Sequence, residues 1–461
     1  MSIIGAFIVP HPPIILPEIG KGEEKKIQKT IDSYRLVAKR IAELAPETIV
    51  VTTPHSILYA DYFHISPGLK AEGNLRQFGV HNIILEANYD KEFVQKLEKN
   101  AQEELISAGT LGERNPGIDH GTLIPLKFIN EFWTSYKLVR IGLSGERLTV
   151  HYQFGKCIAK TAEQLNRRTV FIASGDLSHR LKEDGPYGYR AEGPSFDQKV
   201  THAMETGNFL DFFTLDPVLC ENAGECGLRS FVIMAGALDG QAVRSTLHSY
   251  EGPFGVGYGV ASFEITGKDE NRHFDKIYEQ NEKQRMAERK DHEDPYVRLA
   301  RTSLETYLTT KKHIKPPENL PQEMITKRAG VFVSLKKFGQ LRGCIGTIAP
   351  VTKNIAEEII MNAISSGTND PRFPPVTVSE LPDLVYSVDV LSEAESIHSP
   401  DQLDVKRYGV IVSKDYRRGL LLPNLEGIDS VEQQISIAKQ KAGIRKDETV
   451  TMERFEVVRH Q

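Results

Sequence analysis

Ile3-Ile4-Gly5-Ala6-Phe7-Ile8-Val9-Pro10-His11-Pro12-Pro13 is the stretch from which the fold of this chain is read. A β-rich apolar run leads straight into a histidine, and the prolines around it fix φ and remove the helical option. The pattern recurs at Thr48-Ile49-Val50-Val51-Thr52-Thr53-Pro54-His55-Ser56. It returns at Thr169-Val170-Phe171-Ile172-Ala173, followed by Ser174-Gly175-Asp176-Leu177-Ser178-His179. A Lys-, Glu-, Ile- and Ala-rich helix predicted over 21–44 joins the first two strands into a βαβ unit. Open α/β sheets bind ligands outside the carboxyl ends of their strands, so histidines far apart in sequence converge there. His120, in Asp119-His120-Gly121-Thr122, is the fourth of the set.

Composition sets the frame. The 461 residues are about three times a typical domain, so two or three domains are expected. A net charge of -5 and a pI near 6.3 give no global basic field, which argues against nucleic acid as a partner. Cys157, Cys220, Cys226 and Cys344 show no paired spacing and fit a reducing cytosol. No stretch approaches a membrane-spanning apolar run, so a cytoplasmic protein is expected.

Residues 1–266 read as one α/β domain. Further strands are predicted at 62–66, 82–85, 137–141 and 256–265, and helices at 91–108, 149–165, 195–206 and 228–238. Residues 267–293 are rich in charge and poor in apolar side chains, as a linker is. Residues 294–461 read as a smaller α+β domain. It opens on a helix at 297–308, and a hairpin pairs 330–335 with 340–346 across Phe338-Gly339. A helix at 351–365, strands at 384–391, 409–413 and 419–422, a helix at 430–442 and a closing strand at 450–458 follow.

Two imidazoles on adjacent strands, both beside proline, suggest a metal site that needs a third ligand. Two histidines and a carboxylate suit Fe(II) with open positions for substrate and oxygen, and Zn or another divalent metal accepts the same donors. The third donor is sought in Glu221-Asn222-Ala223-Gly224-Glu225-Cys226-Gly227, where Glu225 and Cys226 both qualify and Glu225 has helix capping as its plainer role. His120 and His179 are the acid–base candidates, with Asp119 and Asp176 as groups that orient them. In the second domain Cys344 has Arg342 two positions away along a strand, a placement that would favour thiolate, while a small buried hydrophobe is its plainer role. Arg372, in a Pro-rich loop, is an anion-binding candidate.

On these motifs the first 265 residues resemble the LigB-like class III extradiol dioxygenase superfamily, which includes the Memo proteins. The resemblance implies a mixed-sheet α/β domain with His11, His55 and Glu225 holding Fe(II), His120 and His179 handling substrate and protons, and an aromatic small molecule and O2 as substrates. Memo-type proteins offer a cysteine where Cys226 falls. Leu341-Arg342-Gly343-Cys344-Ile345-Gly346, Asp370-Pro371-Arg372-Phe373-Pro374-Pro375-Val376 and Gly419-Leu420-Leu421-Leu422-Pro423 resemble the AMMECR domain. That second resemblance implies a bacterial three-module system whose third member is a radical SAM enzyme. Two functions follow as expectations: a dioxygenase-like oxidoreductase, or an accessory protein serving the radical SAM partner.

Overall fold

Ile3–Val9 is a strand buried along almost its whole length, as a near-continuous apolar run should be when both sheet faces are covered. It pairs in parallel with Thr169–Ser174 and antiparallel with Tyr258–Lys268. Thr48–Thr53 pairs in parallel with Thr169–Ser174 and with Lys137–Gly142. The six-stranded sheet is completed by Gln241–Glu251 at the far edge beside Tyr258–Lys268. In this computed structural model residues 2–113, 117–425 and 427–461 are described.

The register positions the site. Val9 is level with Ser174, and Thr52 with Ala173, so Val9, Ser174 and Thr53 share one line across the sheet. His11 and His55 each stand two residues beyond that line. Helices Gln28–Leu44 and His120–Ile129 cover one face, and Leu148–Gln164 and Leu228–Ala237 the other, each over its own apolar cluster.

The differences from expectation have local causes. The helix predicted over 21–44 begins only at Gln28, because Lys21 and Gly22 take left-handed backbone (φ 49° and 105°) that ends a preceding short turn. The helix predicted to reach 108 stops at Glu103, two residues before Leu105 turns left-handed. Gln241–Glu251 shows no clean apolar alternation because it is an edge strand with both faces partly exposed.

The chain divides into two units, Met1–Asn281 and Glu282–Gln461. In the second, Gln340–Gly346, Val331–Lys337, Leu384–Leu391 and Val457–His460 form an antiparallel sheet whose apolar face packs on helices Pro295–Thr310 and Ile355–Thr368. A smaller sheet of Glu395–Ile397, Thr451–Phe455, Gly409–Lys414 and Arg417–Leu421 packs on helix Val431–Lys441. The single closing strand expected at 450–458 is therefore two strands, one in each sheet. Among the described residues no helix is long and apolar enough to cross a membrane.

The charged segment 267–293 is largely the helix Phe274–Asp291. Its first turn is pinned to the N-terminal unit: Phe274 and Asp275 are buried, and Lys156 Nζ lies 2.9 Å from Asp275. His273 Nδ1 sits 2.8 Å from Asp239 and Nε2 3.2 Å from Glu270. From Glu279 onward the helix is largely exposed.

Limited proteolysis should therefore cut first between 279 and 293, not between 267 and 278, releasing fragments of roughly 32 and 20 kDa by share of the 51.7 kDa chain. First cuts inside either sheet, with no stable fragments, would refute the boundary. The two carboxylates raise the His273 pKa, so its contribution is complete below its unfolded value near 6.5 and fades as pH rises through the folded value. Hydrogen exchange at 274–278, corrected for intrinsic rates, should speed up between pH 6 and 8.5 in the wild type. His273→Gln should abolish that dependence; the effect is worth less than about 1 kcal/mol, since the pair is partly exposed.

Candidate functional site

His11, His55 and Cys226 each present one donor atom, and these atoms all lie within 4.8 Å of one another. His11 Nε2 is 2.9 Å from His55 Nε2 and 3.7 Å from Cys226 Sγ. Such spacings suit three ligands on one cation with metal–nitrogen bonds near 2.1 Å and metal–sulfur bonds near 2.3 Å.

The tautomer of His11 follows from its neighbours. The hydroxyl of Ser174 donates its only proton to the Gly121 carbonyl. Toward His11 Nδ1, 2.9 Å away, Ser174 Oγ is therefore an acceptor, and Nδ1 carries the hydrogen. Nε2 is left with its lone pair aimed at the cluster, as ligation requires.

Cys226 is delivered by a close backbone approach. A Cβ on Gly175 would lie 2.2 Å from the Gly227 Cα, so only glycine lets these two loops meet. The Asp176 N–H then donates to Cys226 Sγ at 3.3 Å. Glu225, expected as the third ligand, lies outside the cluster. Its carboxylate turns back to accept the Leu228 N–H at 2.7 Å and caps helix Leu228–Ala237. Glu225 and Cys226 lie in the turn between helices Pro217–Ala223 and Leu228–Ala237, where the Leu228 N–H holds the carboxylate and the sulfur joins the cluster.

The two remaining histidines border the cluster without joining it. The His120 ring is 4.0 Å from that of His55 and 5.5 Å from that of His11 between centroids, and packs edge-on against Phe78. His179 meets Tyr187 edge-on at 5.3 Å and lies near enough to bear on the charge of His11 and His55. The aspartates expected to orient these rings are used differently. Asp176 accepts the backbone N–H of His11 at 2.8 Å and fixes the loop. Asp119 caps helix His120–Ile129 through Thr122 N–H, accepts the Thr53 hydroxyl at 2.7 Å and pairs with buried Arg140 at 3.3 Å.

Burial dominates the electrostatics. It lowers the basicity of all four imidazoles: that of His11 falls well below normal, aided by its histidine neighbours, and that of His120 to about 4. Burial likewise pushes the Cys226 thiol up, with Asp176 and Glu225 adding to it, and raises Asp176 to about 7. The donors are thus neutral near pH 7, and a cation entering the cluster displaces the thiol proton. A cleft of about 430 Å³ opens beside His55 and His120, lined also by Glu72, Asn74, Gln77 and Ile118.

Sequence reasoning missed Ser174, Arg140 and the cleft-lining Glu72, Asn74 and Gln77. Only Ser174 carried a usable signal, its place at a strand end level with Val9.

In the C-terminal unit a β-bulge removes Arg342 from Cys344. Leu341 pairs with Lys336 and Gly343 with Leu335, so Arg342 is the extra residue and the expected alternation breaks there. Its guanidinium grips Glu380 at 3.0 and 3.1 Å and donates to the Pro374 carbonyl. Arg372 is the arginine beside Cys344, 3.2 Å from its carbonyl.

Residues 5–261 match the family model described as the catalytic LigB subunit of aromatic ring-opening dioxygenase, and residues 297–460 match that of AMMECR1. A protein of Clostridium acetobutylicum is 46% identical over 469 residues, covering 100% of both chains. A shorter protein of Thermotoga maritima is 52% identical over 171 residues, 37% of this chain and 98% of its own. A solved structure from Pyrococcus horikoshii is 37% identical, covers 36% of this chain and 88% of its own, and superposes with a TM-score of 0.34.

Titration with Co(II) separates the two third-ligand candidates. Cys226→Ala should weaken binding by more than about tenfold and abolish the sulfur-to-cobalt charge-transfer band. Glu225→Ala should retain both while losing about 1 kcal/mol of stability with its cap. The opposite pattern would return Glu225 to the ligand set.

Proposed function

The chain belongs to the LigB family of aromatic ring-opening dioxygenase catalytic subunits and carries an AMMECR1 domain, and we propose that its N-terminal domain is a metal-dependent oxidoreductase of the extradiol type acting on a catechol-like small molecule. The observation that carries this reading is the meeting of two strand-end imidazoles and a third donor in one cluster, with two non-ligating histidines near it and a small cleft lined by His55 and His120. A cation held by His11, His55 and Cys226 would supply a Lewis-acidic centre, and as Fe(II) a redox-active one, for vicinal substrate oxygens and O2.

The protein's own groups do the rest. The cleft is of a size for a single-ring molecule. His120, at the start of its helix, offers a neutral imidazole to a substrate oxygen, and Phe78 limits its rotation by packing edge-on. His179 accepts the proton of a substrate hydroxyl and later returns one to product; its lowered basicity keeps it unprotonated and ready to accept near pH 7.

One observation favours a second reading. With sulfur as the third donor, the set differs from the two-histidine, one-carboxylate pattern and suits Zn or Cu(I) as well as iron. On that reading the domain is a metal-binding accessory to a radical SAM partner enzyme.

Anaerobic reconstitution with Fe(II), followed by oxygen uptake over a panel of catechols, tests the first reading. Substrate-dependent uptake with a ring-opened product supports it; bound iron with no uptake refutes it in favour of the second. His179→Ala should hold metal within about threefold of wild type while uptake falls by roughly 10²-fold or more. Loss of metal in that variant, at unchanged fold, would make His179 a ligand.

A further inference from the structure

The C-terminal unit carries a second concentration of chemistry, unrelated to the metal cluster. Ser334 stands level with Cys344 on one side and Ser387 on the other, so the three share a face of the four-stranded sheet. Val331, Val333 and Leu335 point the opposite way into the helix-covered core. Two residues along the same face, Asp389 is level with Arg459. Cys344 is half-buried there, and the Ser334 hydroxyl donates to its Sγ at 3.2 Å.

Three cations from separate parts of the chain lie within electrostatic reach of Cys344, Arg372 in direct contact with its carbonyl. Arg372 arrives from the loop beyond the sheet edge, Arg459 from the last strand and Lys441 from the end of helix Val431–Lys441. Each is close enough for its charge and that of Cys344 to act on one another. Two of them are anchored by one edge only. Arg372 uses Nε and Nη2 on Asp370, at 2.9 and 2.7 Å, and Arg459 uses the same pair on Asp389, at 2.7 and 2.8 Å. The Nη1 edge of each guanidinium has no protein partner among the described residues. Lys441 pairs with no carboxylate there, and its basicity is lowered by burial and by Arg372. Three cations against two carboxylates leave one positive charge for an anion to match.

We propose that this face is a second reactive site, in which Cys344 is a nucleophile for a small electrophile that carries a carboxylate near its reactive carbon. The carboxylate lies against the free edges of Arg372 and Arg459 and the Lys441 ammonium, and the sulfur faces the carbon. The Sγ–carbon bond forms, the displaced group leaves with its electron pair, and the thiol proton passes to water.

Paired alkylation of the full-length chain tests this, using iodoacetate as the anionic probe and iodoacetamide as its neutral analogue. Adducts are assigned to Cys344 by peptide mass spectrometry, and the two rates are expressed as a ratio. At Cys344 that ratio should exceed the value for glutathione by roughly tenfold or more, the gain expected of a focused positive site. Lys441→Gln and Arg459→Gln should each pull the ratio toward the glutathione value while leaving the iodoacetamide rate less affected. Arg459→Lys, which keeps the charge, should retain most of the preference, so collapse through misfolding is told apart from loss of charge. A wild-type ratio equal to that of glutathione, or one that the Gln variants leave unchanged, would overturn the proposal.

Discussion

Ser174 has one hydroxyl proton, and the Gly121 carbonyl takes it. Everything in the N-terminal cluster hangs on that hydrogen bond. It makes Oγ an acceptor toward His11, which puts the imidazole hydrogen on Nδ1 and leaves Nε2 to meet His55 and Cys226. The same bond ties the end of a central strand to the start of helix His120–Ile129, so one contact sets a tautomer and brings a second histidine alongside. Asp119 supports the arrangement from the other side, shared between Thr53, the helix N-terminus and the buried guanidinium of Arg140. Removing one partner there would strand a buried charge.

The two domains solve a similar problem by different means. In the first, a nucleophile-class residue, Cys226, is surrounded by neutral imidazoles and by acids that keep its proton in place, an environment that calls for a cation. In the second, Cys344 stands among arginines and a lysine, an environment that calls for an anion. Thiol chemistry is set by such neighbours far more than by the thiol itself. One residue type thus carries opposite electrostatic demands within a single chain.

Much of this was legible from residue order alone. Ile3–Val9 and Thr48–Thr53 were readable as strands because both sheet faces are covered and apolar residues run on without alternation. Parallel pairing then obliges their ends to share an edge, which is why histidines distant in sequence were expected together. Features decided by three-dimensional detail were not legible. Whether Glu225 or Cys226 faces the cluster depends on where a helix begins, and a free N–H at Leu228 captured the carboxylate. One extra residue in a hairpin moved Arg342 away from Cys344 and gave it to Glu380. Gln241–Glu251 escaped notice because an edge strand with two wet faces has no binary pattern to read.

The central place of Ile3–Val9 carries a cost during synthesis. Its parallel neighbour begins only at Thr169 and its antiparallel one only at Tyr258. At about 5–20 residues per second, the most apolar strand of the sheet emerges on the order of ten seconds or more before anything can pair with it. A naked Ile-Ile-Gly-Ala-Phe-Ile-Val segment is a ready template for intermolecular pairing. The length of that exposure is set by strand order and by the rate of synthesis, not by the stability of the finished domain.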